Sequence, residues 1–255
     1  MGREELEQLE GRNVVLEALV RQKRPVRRIY LDERAKPDPK VDEILRLAGA
    51  ARVPVMRVPR QRLDEMSQTG VHNGVIAEAR PRETPTVAGL LEQLFAEGKD
   101  PFLILVDEVQ YEHNLGAILR SALGAGAHAV VVPVVRGKGL TPVVHRVAMG
   151  GAEEVWFIRE GLSSALAALR RAGVRVIGAD MDGKPCWEVP MRGPLAIVLG
   201  GEDKGLTKPL RDRCDAIVAV PLQGGLESLN VSVTAAILLF EKVRQEGLPP
   251  LPYKR

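Results

Sequence analysis

The chain has 255 residues, enough for two ordinary domains or one large one. Its 45% hydrophobic and 27% charged residues fit a soluble globular protein, and 4% aromatics leave aliphatic side chains to fill the core. No apolar run reaches the ~20 residues that span a bilayer, and the charged start MGREELEQLEGRN lacks a secretory apolar stretch. A cytoplasmic protein with no membrane partner is therefore expected.

In chain order, RRIYLDE reads as a strand, KVDEILRLAGAA as a helix, VPVMRVP as a strand, RQRLDEMSQ as a short helix and GVIAEA as a third strand. These elements make a small α/β domain over residues 1–80. ARPRETPTVAG (79–89) is the clearest boundary, with two prolines between patterned regions. Residues 81–99 read as a linker and first helix. From 100 to 255, short β-branched runs at 101–109, 129–133, 155–158, 174–180, 195–200 and 216–222 alternate with helical patterns. The helical patterns are NLGAILRSALGAG, PVVHRVAMGG, LSSALAALRRAG and PLRDRCD. Nearly continuous apolar strands alternating with helices predict a parallel sheet covered on both faces, with ligands at the strand C-termini. No internal repeat is visible.

The charge is uneven. Residues 1–80 hold 16 basic and 13 acidic side chains, and 81–255 hold 20 of each. Within 19–60 there are 12 basic against 5 acidic, and RQKRPVRR (21–28) places five cations in eight residues. A phosphate backbone attracts such a cluster, and a solvated basic face is the alternative. Neither Cys186 nor Cys214 has a second Cys or a His at metal-ligand spacing, so two buried free thiols are expected and no metal.

Three strands end in polar, glycine-containing sequence: DEVQYEHNLGAILRSA (107–122), LGGEDKGL (199–206) and VPLQGGLESLN (220–230). A dinucleotide-binding Gly-x-Gly-x-x-Gly is missing after the first strand. Leu206 stands where a P-loop carries Lys, and no Gly-x-Ser-x-Gly elbow is present. Asn114 can cap the helix that follows it. Gly116 permits a close backbone approach. Arg120, on a helix of Ala, Ile and Leu, would be costly to bury alone and is expected to face a phosphate, a carboxylate or a site opening. Gly200 and Gly201 imply a tight turn or a ligand contact. Ser228 or Asn230 can cap the last helix, whose residues 229–240 are apolar nearly all round. Burial against a partner subunit or in a deep core would explain that. His113 is a candidate base or a loop histidine, His72 a turn residue or a contact for a nucleic acid, and Trp156 and Trp187 packing residues.

Together these segments resemble the SpoU family of RNA ribose 2′-O-methyltransferases, in the SPOUT class. The first family motif, Asn-x-Gly-x-x-x-Arg, is met by Asn114 to Arg120. The second, Leu-Gly-x-Glu-x-x-Gly, is met by Leu199 to Gly205. The third is met by Val220-Pro221 and by Ser228-Leu-Asn-Val-Ser232. GRNVVLEAL (11–19) and GVHNGVIAEA (70–79) are similar to the substrate-binding domain of members acting on 23S rRNA, an L30e-like fold. Similarity over the whole chain points to the RlmB-type guanosine 2′-O-methyltransferases.

The resemblance implies a C-terminal SPOUT parallel-sheet domain with a trefoil knot, which no pattern would suggest unaided. It implies S-adenosylmethionine as cofactor, with Gly200, Gly201, Val220, Leu222 and Leu229 at the binding positions. It also implies an RNA substrate, rRNA by the subgroup, and a homodimer. Catalytic positions are Arg120, Asn114, Glu202, Ser228 and Asn230. The family casts the arginine as proton acceptor; a guanidinium rarely deprotonates in proteins, which makes a phosphate anchor the alternative. A tRNA ribose methyltransferase and a noncatalytic RNA-binding protein on the same scaffold are the rival readings.

Overall fold

The structure is a computed structural model that describes residues 6–135, 138–201 and 205–247. It divides into two compact units. One comprises residues 1–84, 115–120 and 139–154; the other comprises 85–114, 121–138 and 155–255.

The first unit is built on a four-stranded sheet in the order β1-β4-β2-β3, with β1 at Glu7–Glu10, β2 at Val26–Asp32, β3 at Val55–Val58 and β4 at Val75–Ala79. β4 runs antiparallel to both neighbours, and β2 and β3 are parallel. The short first strand EQLE carries no alternation strong enough to announce itself; its pairing with β4 makes it a strand. Helices α1 (Arg12–Arg21), α2 (Pro39–Ala50) and α3 (Arg60–Met66) complete the N-terminal part. α2 starts where its sequence says it should. Asp38 accepts from the amides of Lys40 and Val41, and Pro39 fills the first helical position. Leu9, Val15, Ile29, Leu31, Ile44 and Val75 form the centre of the core.

Two helices from much later in the chain, α6 (Pro142–Ala148) and α7 (Gly151–Glu154), belong to this unit. They bring Glu153 and His145 to Arg24. Arg24 donates from Nε to Glu153 at 3.0 Å and also engages Glu7, with its side chain 2% exposed. His145 Nδ1 stands 3.6 Å from the Glu153 carboxylate. Burial works against the Arg24 charge, but hydrogen bonds and charge from Glu153 and Glu7 outweigh it and raise its pKa. Arg82 donates to the carbonyls of Glu153 and Glu154, and its burial lowers its own pKa. The 21–28 cluster is therefore partly neutralised rather than wholly presented to solvent. Arg21 pairs with Glu17 and Glu154, and Lys23 lies 3.8 Å from Glu154. Both readings of that segment as an open basic face need this correction.

The second unit holds a six-stranded, wholly parallel sheet in the order β10-β8-β9-β5-β6-β7. The strands are β5 (Phe102–Val106), β6 (Ala129–Val132), β7 (Trp156–Arg159), β8 (Arg175–Pro185), β9 (Leu195–Leu199) and β10 (Ala216–Ala219). All six expected strands form. Every residue of β5 and β9 is buried, as a sheet covered on both faces requires. α4 (Val87–Ala96) and α8 (Leu162–Arg171) pack together on one face, and α10 (Val231–Glu246) packs on β9. α5 (Glu112–Ala125) follows β5, and α9 (Lys208–Arg211) follows β9.

Two strands differ from expectation. β8 continues to Pro185 through MDGKP, which reads as loop. Gly183 allows this, because a Cβ there would lie 2.4 Å from the carbonyl carbon of Val218. β10 stops at Ala219, just before Val220-Pro221, since proline cannot donate to a ladder. Cys186 is buried and Cys214 half-buried; burial pushes the Cys214 thiol up to about 11. Trp187 is 55% exposed, so it is not a core packing residue in this chain.

Candidate active site

Because the sheet is parallel, the loops after β5, β9 and β10 leave from one edge. The β5 loop touches both of the others. Asp107 extends the ladder by donating to the Leu199 carbonyl at 3.0 Å. Beyond it, Glu108 lies against Gly201, where an added Cβ would meet the Glu108 Cβ at 3.3 Å. Glu108 is a contact that sequence reading missed; its place directly after an all-apolar strand was the available signal.

The β9 loop closes on itself. Gly201 and Gly205 exchange amide–carbonyl hydrogen bonds of 3.1 and 3.0 Å. A Cβ on Gly200 would fall 2.0 Å from the Gly205 carbonyl carbon and 2.3 Å from the Leu206 nitrogen. The absence of a side chain at Gly200 is what lets this turn close. Glu202 lies outside the described residues.

The β10 loop runs from Val220 to α10. Val220, Leu222 and Leu229 are half-buried, and Ser228 is exposed. Asn230 caps α10. Its Oδ1 accepts from the Ser232 amide at 2.9 Å and from the Ser232 hydroxyl at 2.6 Å. Its Nδ2 donates to Asn114 Oδ1 at 3.1 Å. Asn114 itself is not a cap. Tyr111 occupies that position without a side-chain bond, and Asn114 sits in the first turn of α5 with its amide bonded to the Tyr111 carbonyl. Its carboxamide oxygen accepts from the third loop.

Arg120 lies on the same helix, six positions on. It is exposed, and no hydrogen bond or ion pair engages it among the described residues. Exposure spares it the cost of lone burial and leaves it available to an anion. The residues flanking it are held tightly by α6 and α7. A Cβ on Gly116 would lie 2.6 Å from the Val147 Cβ, and one on Gly151 would lie 2.5 Å from the Leu119 carbonyl oxygen.

The remaining histidines have ordinary duties. His128 accepts from the Phe102 amide at 3.1 Å. His72 accepts from the Gly74 amide at Nδ1 and so donates from Nε2 to Asp64 at 2.8 Å, which makes it a turn residue. His113 is exposed.

α10 is not buried all round. Ala235, Leu238, Leu239 and Lys242 face the sheet, while Val233 is 45% and Phe240 48% exposed. A deep core within one chain is therefore not the reason for its composition. No described helix is long and apolar enough to cross a membrane.

Residues 101–240 match the SpoU rRNA Methylase family, and residues 8–85 match the RNA 2′-O ribose methyltransferase substrate-binding family. The chain is 39% identical over 246 residues to the 23S rRNA (guanosine-2′-O-)-methyltransferase RlmB of Pseudomonas putida, covering 94% of this chain and 97% of that protein. The crystal structure of an RNA 2′-O ribose methyltransferase superposes with a TM-score of 0.77 at 27% identity, covering 96% of this chain and 90% of the other. The SpoU methyltransferase AviRb of Streptomyces viridochromogenes, solved with its cofactor AdoMet, superposes with a TM-score of 0.79 at 24% identity, covering 94% and 89%, and supports the fold. With three motif loops at one sheet edge and matches over both parts of its length, the chain belongs to the SpoU rRNA Methylase family.

Proposed function

We propose that the protein transfers a methyl group from S-adenosylmethionine to a ribose 2′-hydroxyl of RNA, with a guanosine of 23S rRNA as target. The observation that carries this reading is the bond from Asn230 Nδ2 to Asn114 Oδ1, which joins the first and third family motifs in space. The substrate is argued from the P. putida relative, similar to this chain over nearly its full length. The half-buried aliphatic side chains Val220, Leu222 and Leu229 suit the adenosyl body, and Gly200 and Gly201, in the tight β9 turn, offer it backbone groups. When bound, the cofactor supplies an electrophilic methyl on a sulfonium.

The protein must then hold the ribose oxygen in line and manage one proton. Arg120 binds the neighbouring phosphate as a fixed cation and orients the hydroxyl. A guanidinium anchors a phosphate more readily than it accepts a proton, so the hydroxyl proton passes to that phosphate or to water. Asn114 and Asn230 form a hydrogen-bonded rim that positions the ribose, with Ser228 beside them and Glu202 as a shaping carboxylate. The working division is a substrate-binding segment at 1–80, a linker and helix at 81–99 and a methyltransferase segment at 100–255. The C-terminal segment is read as knotted. Its partner is a second copy, which would cover Val233 and Phe240 on α10. A cytoplasmic location follows from an rRNA substrate.

The test is incubation with radiolabelled S-adenosylmethionine and transcribed 23S rRNA or tRNA, followed by mapping of 2′-O-methyl positions. Label in a 23S guanosine is the expected result. Label confined to tRNA, or none with RNA still bound, would give the reading to one of its rivals.

A further inference from the structure

Helix α7 is a wedge between two longer helices, and its contacts all lie within the first unit. Gly150, just before it, faces α1, where an added Cβ would lie 2.6 Å from Glu17 Oε2. Gly151, its first residue, faces α5. A Cβ there would lie 2.5 Å from the Leu119 carbonyl oxygen and 3.1 Å from the Arg120 nitrogen. This second contact is backbone against backbone, with no flexible side chain to absorb a shift. The turn of α5 that carries Arg120 is therefore held where α7 holds it.

α7 is in turn fastened to the N-terminal segment. Glu153 accepts from Arg24 Nε at 3.0 Å and also from Nη2, a two-pronged pair that fixes direction as well as distance. Glu154 accepts from Arg21 at 2.9 Å. Arg82 donates to the carbonyls of Glu153 and Glu154 at 2.9 and 3.3 Å. Arg21, Arg24 and Arg82 fall within the substrate-binding match, 8–85, whereas α7 and Arg120 fall within the methylase match, 101–240. Arginines of one family segment thus grip a short helix of the other.

Arg120 is exposed and has no hydrogen bond or ion pair of its own among the described residues. Its starting point is set by its backbone, and so by the wedge. Misplacing a reacting group by 1 Å can cost about a hundredfold in rate.

We infer that Glu153 is a positioning residue for Arg120: the N-terminal segment, gripping Glu153 through Arg24, sets the α7 wedge that fixes the Arg120 backbone. The inference rests on the reading of Arg120 as the phosphate anchor for methyl transfer. Glu153 is buried and acts only through the wedge, so its loss affects turnover and not the binding of either substrate.

The experiment uses the full chain, transcribed 23S rRNA and labelled S-adenosylmethionine, at a temperature where circular dichroism shows every variant folded. Glu153→Gln keeps the side-chain shape and removes the charge that Arg24 grips. It is expected to lower kcat about tenfold, well inside the cost of a 1 Å misplacement, with KM for RNA and Kd for the cofactor within about twofold of wild type. Amide hydrogen exchange is expected to rise over residues 115–122 of α5 and to stay at its wild-type level over α10. Glu10→Gln is the control. It removes another wholly buried carboxylate of the same unit, one whose partners are Gln8 and residues 67–69, and it should leave kcat within about twofold. If Glu153→Gln does not fold, Arg82→Ala loosens α7 at its carbonyls and is read in the same way. Wild-type kcat in these α7 variants, an equal loss of kcat in Glu10→Gln, or exchange raised equally in α5 and α10 overturns the positioning role alone. An Arg120→Ala chain that keeps its methylation rate, or a wild-type chain that does not methylate the transcript, overturns the functional reading and the positioning role with it.

Discussion

Asn230 donates to Asn114 across 116 residues of sequence while its own oxygen caps α10. One carboxamide thus does two jobs, and the jobs can be separated. Asn230→Asp keeps the capping oxygen and loses the donor. The expected result is a melting temperature near wild type with methylation slowed at least about tenfold, the loss of one ~1.4 kcal/mol transition-state contact. Asn230→Ala should lose both, with a further ~1 kcal/mol of stability from the missing cap. Thermal melts and initial rates on the two variants check the division.

Arg120 is exposed and unengaged among the described residues, so its removal should cost little structure. Arg120→Ala is expected to keep stability within ~0.5 kcal/mol, as for most surface substitutions, and to lose nearly all methyl transfer. A rate above a tenth of wild type would take Arg120 out of the chemistry.

Arg24 and Glu153 form a buried charge pair, each side chain 2% exposed. Breaking one partner leaves the other charge buried. Glu153→Gln or Arg24→Met should therefore destabilise by ~3–5 kcal/mol. Denaturant unfolding measures it, and a double variant that loses no more than either single one would tie the cost to the pair.

Glu10 is wholly buried. Burial pushes its carboxyl up, but hydrogen bonds from Thr69, the Gln68 amide, Ser67 and Gln8 outweigh that and hold it below its ordinary value. A depressed carboxyl contributes stability that is present above the unfolded value, ~4.3 for glutamate, and lost as pH falls through the folded one. Glu10→Gln should therefore lower stability at pH 7 and flatten its decline below about pH 4.3. Unfolding free energies at pH 7 and pH 3 show whether the two curves converge.

Gly116→Ala should gain helix propensity and lose more through its clash with Val147, at 2.6 Å, a backbone-shifting overpacking of ~1–3 kcal/mol. Since the displaced segment of α5 carries Arg120, activity should fall further than stability, which parallel melts and rate assays would reveal.

Much of this was readable in advance. The six strands of the parallel sheet announce themselves through apolar runs, and the three loops through glycine and polar residues at strand ends. The short strand β1 was not readable, because EQLE has no period of its own and gains strand character only by pairing with β4. The length of β8 depends on the backbone of Val218 meeting Gly183, a contact that local signals in MDGKP contradict. Charge was the poorest guide. Arg21, Lys23 and Arg24 look like a phosphate-binding run, yet their glutamate partners include Glu153 and Glu154, more than 120 positions away. Deleting residues 1–80 would look like a clean removal of an RNA-binding segment. It would in fact strip Arg24 from the buried Glu153, so loss of function in that truncation would not report RNA contact alone.

The Arg24–Glu153 contact also sets an order of events during synthesis. Glu153 is polymerised 129 residues after Arg24. At translation rates of about 5–20 residues per second, roughly 6 to 25 seconds separate the two. Until then Arg24 has Glu7 as a carboxylate partner but not Glu153. The buried Arg24–Glu153 pair can therefore form only after α7 has been synthesised, so the first unit cannot be completed by its own N-terminal segment alone.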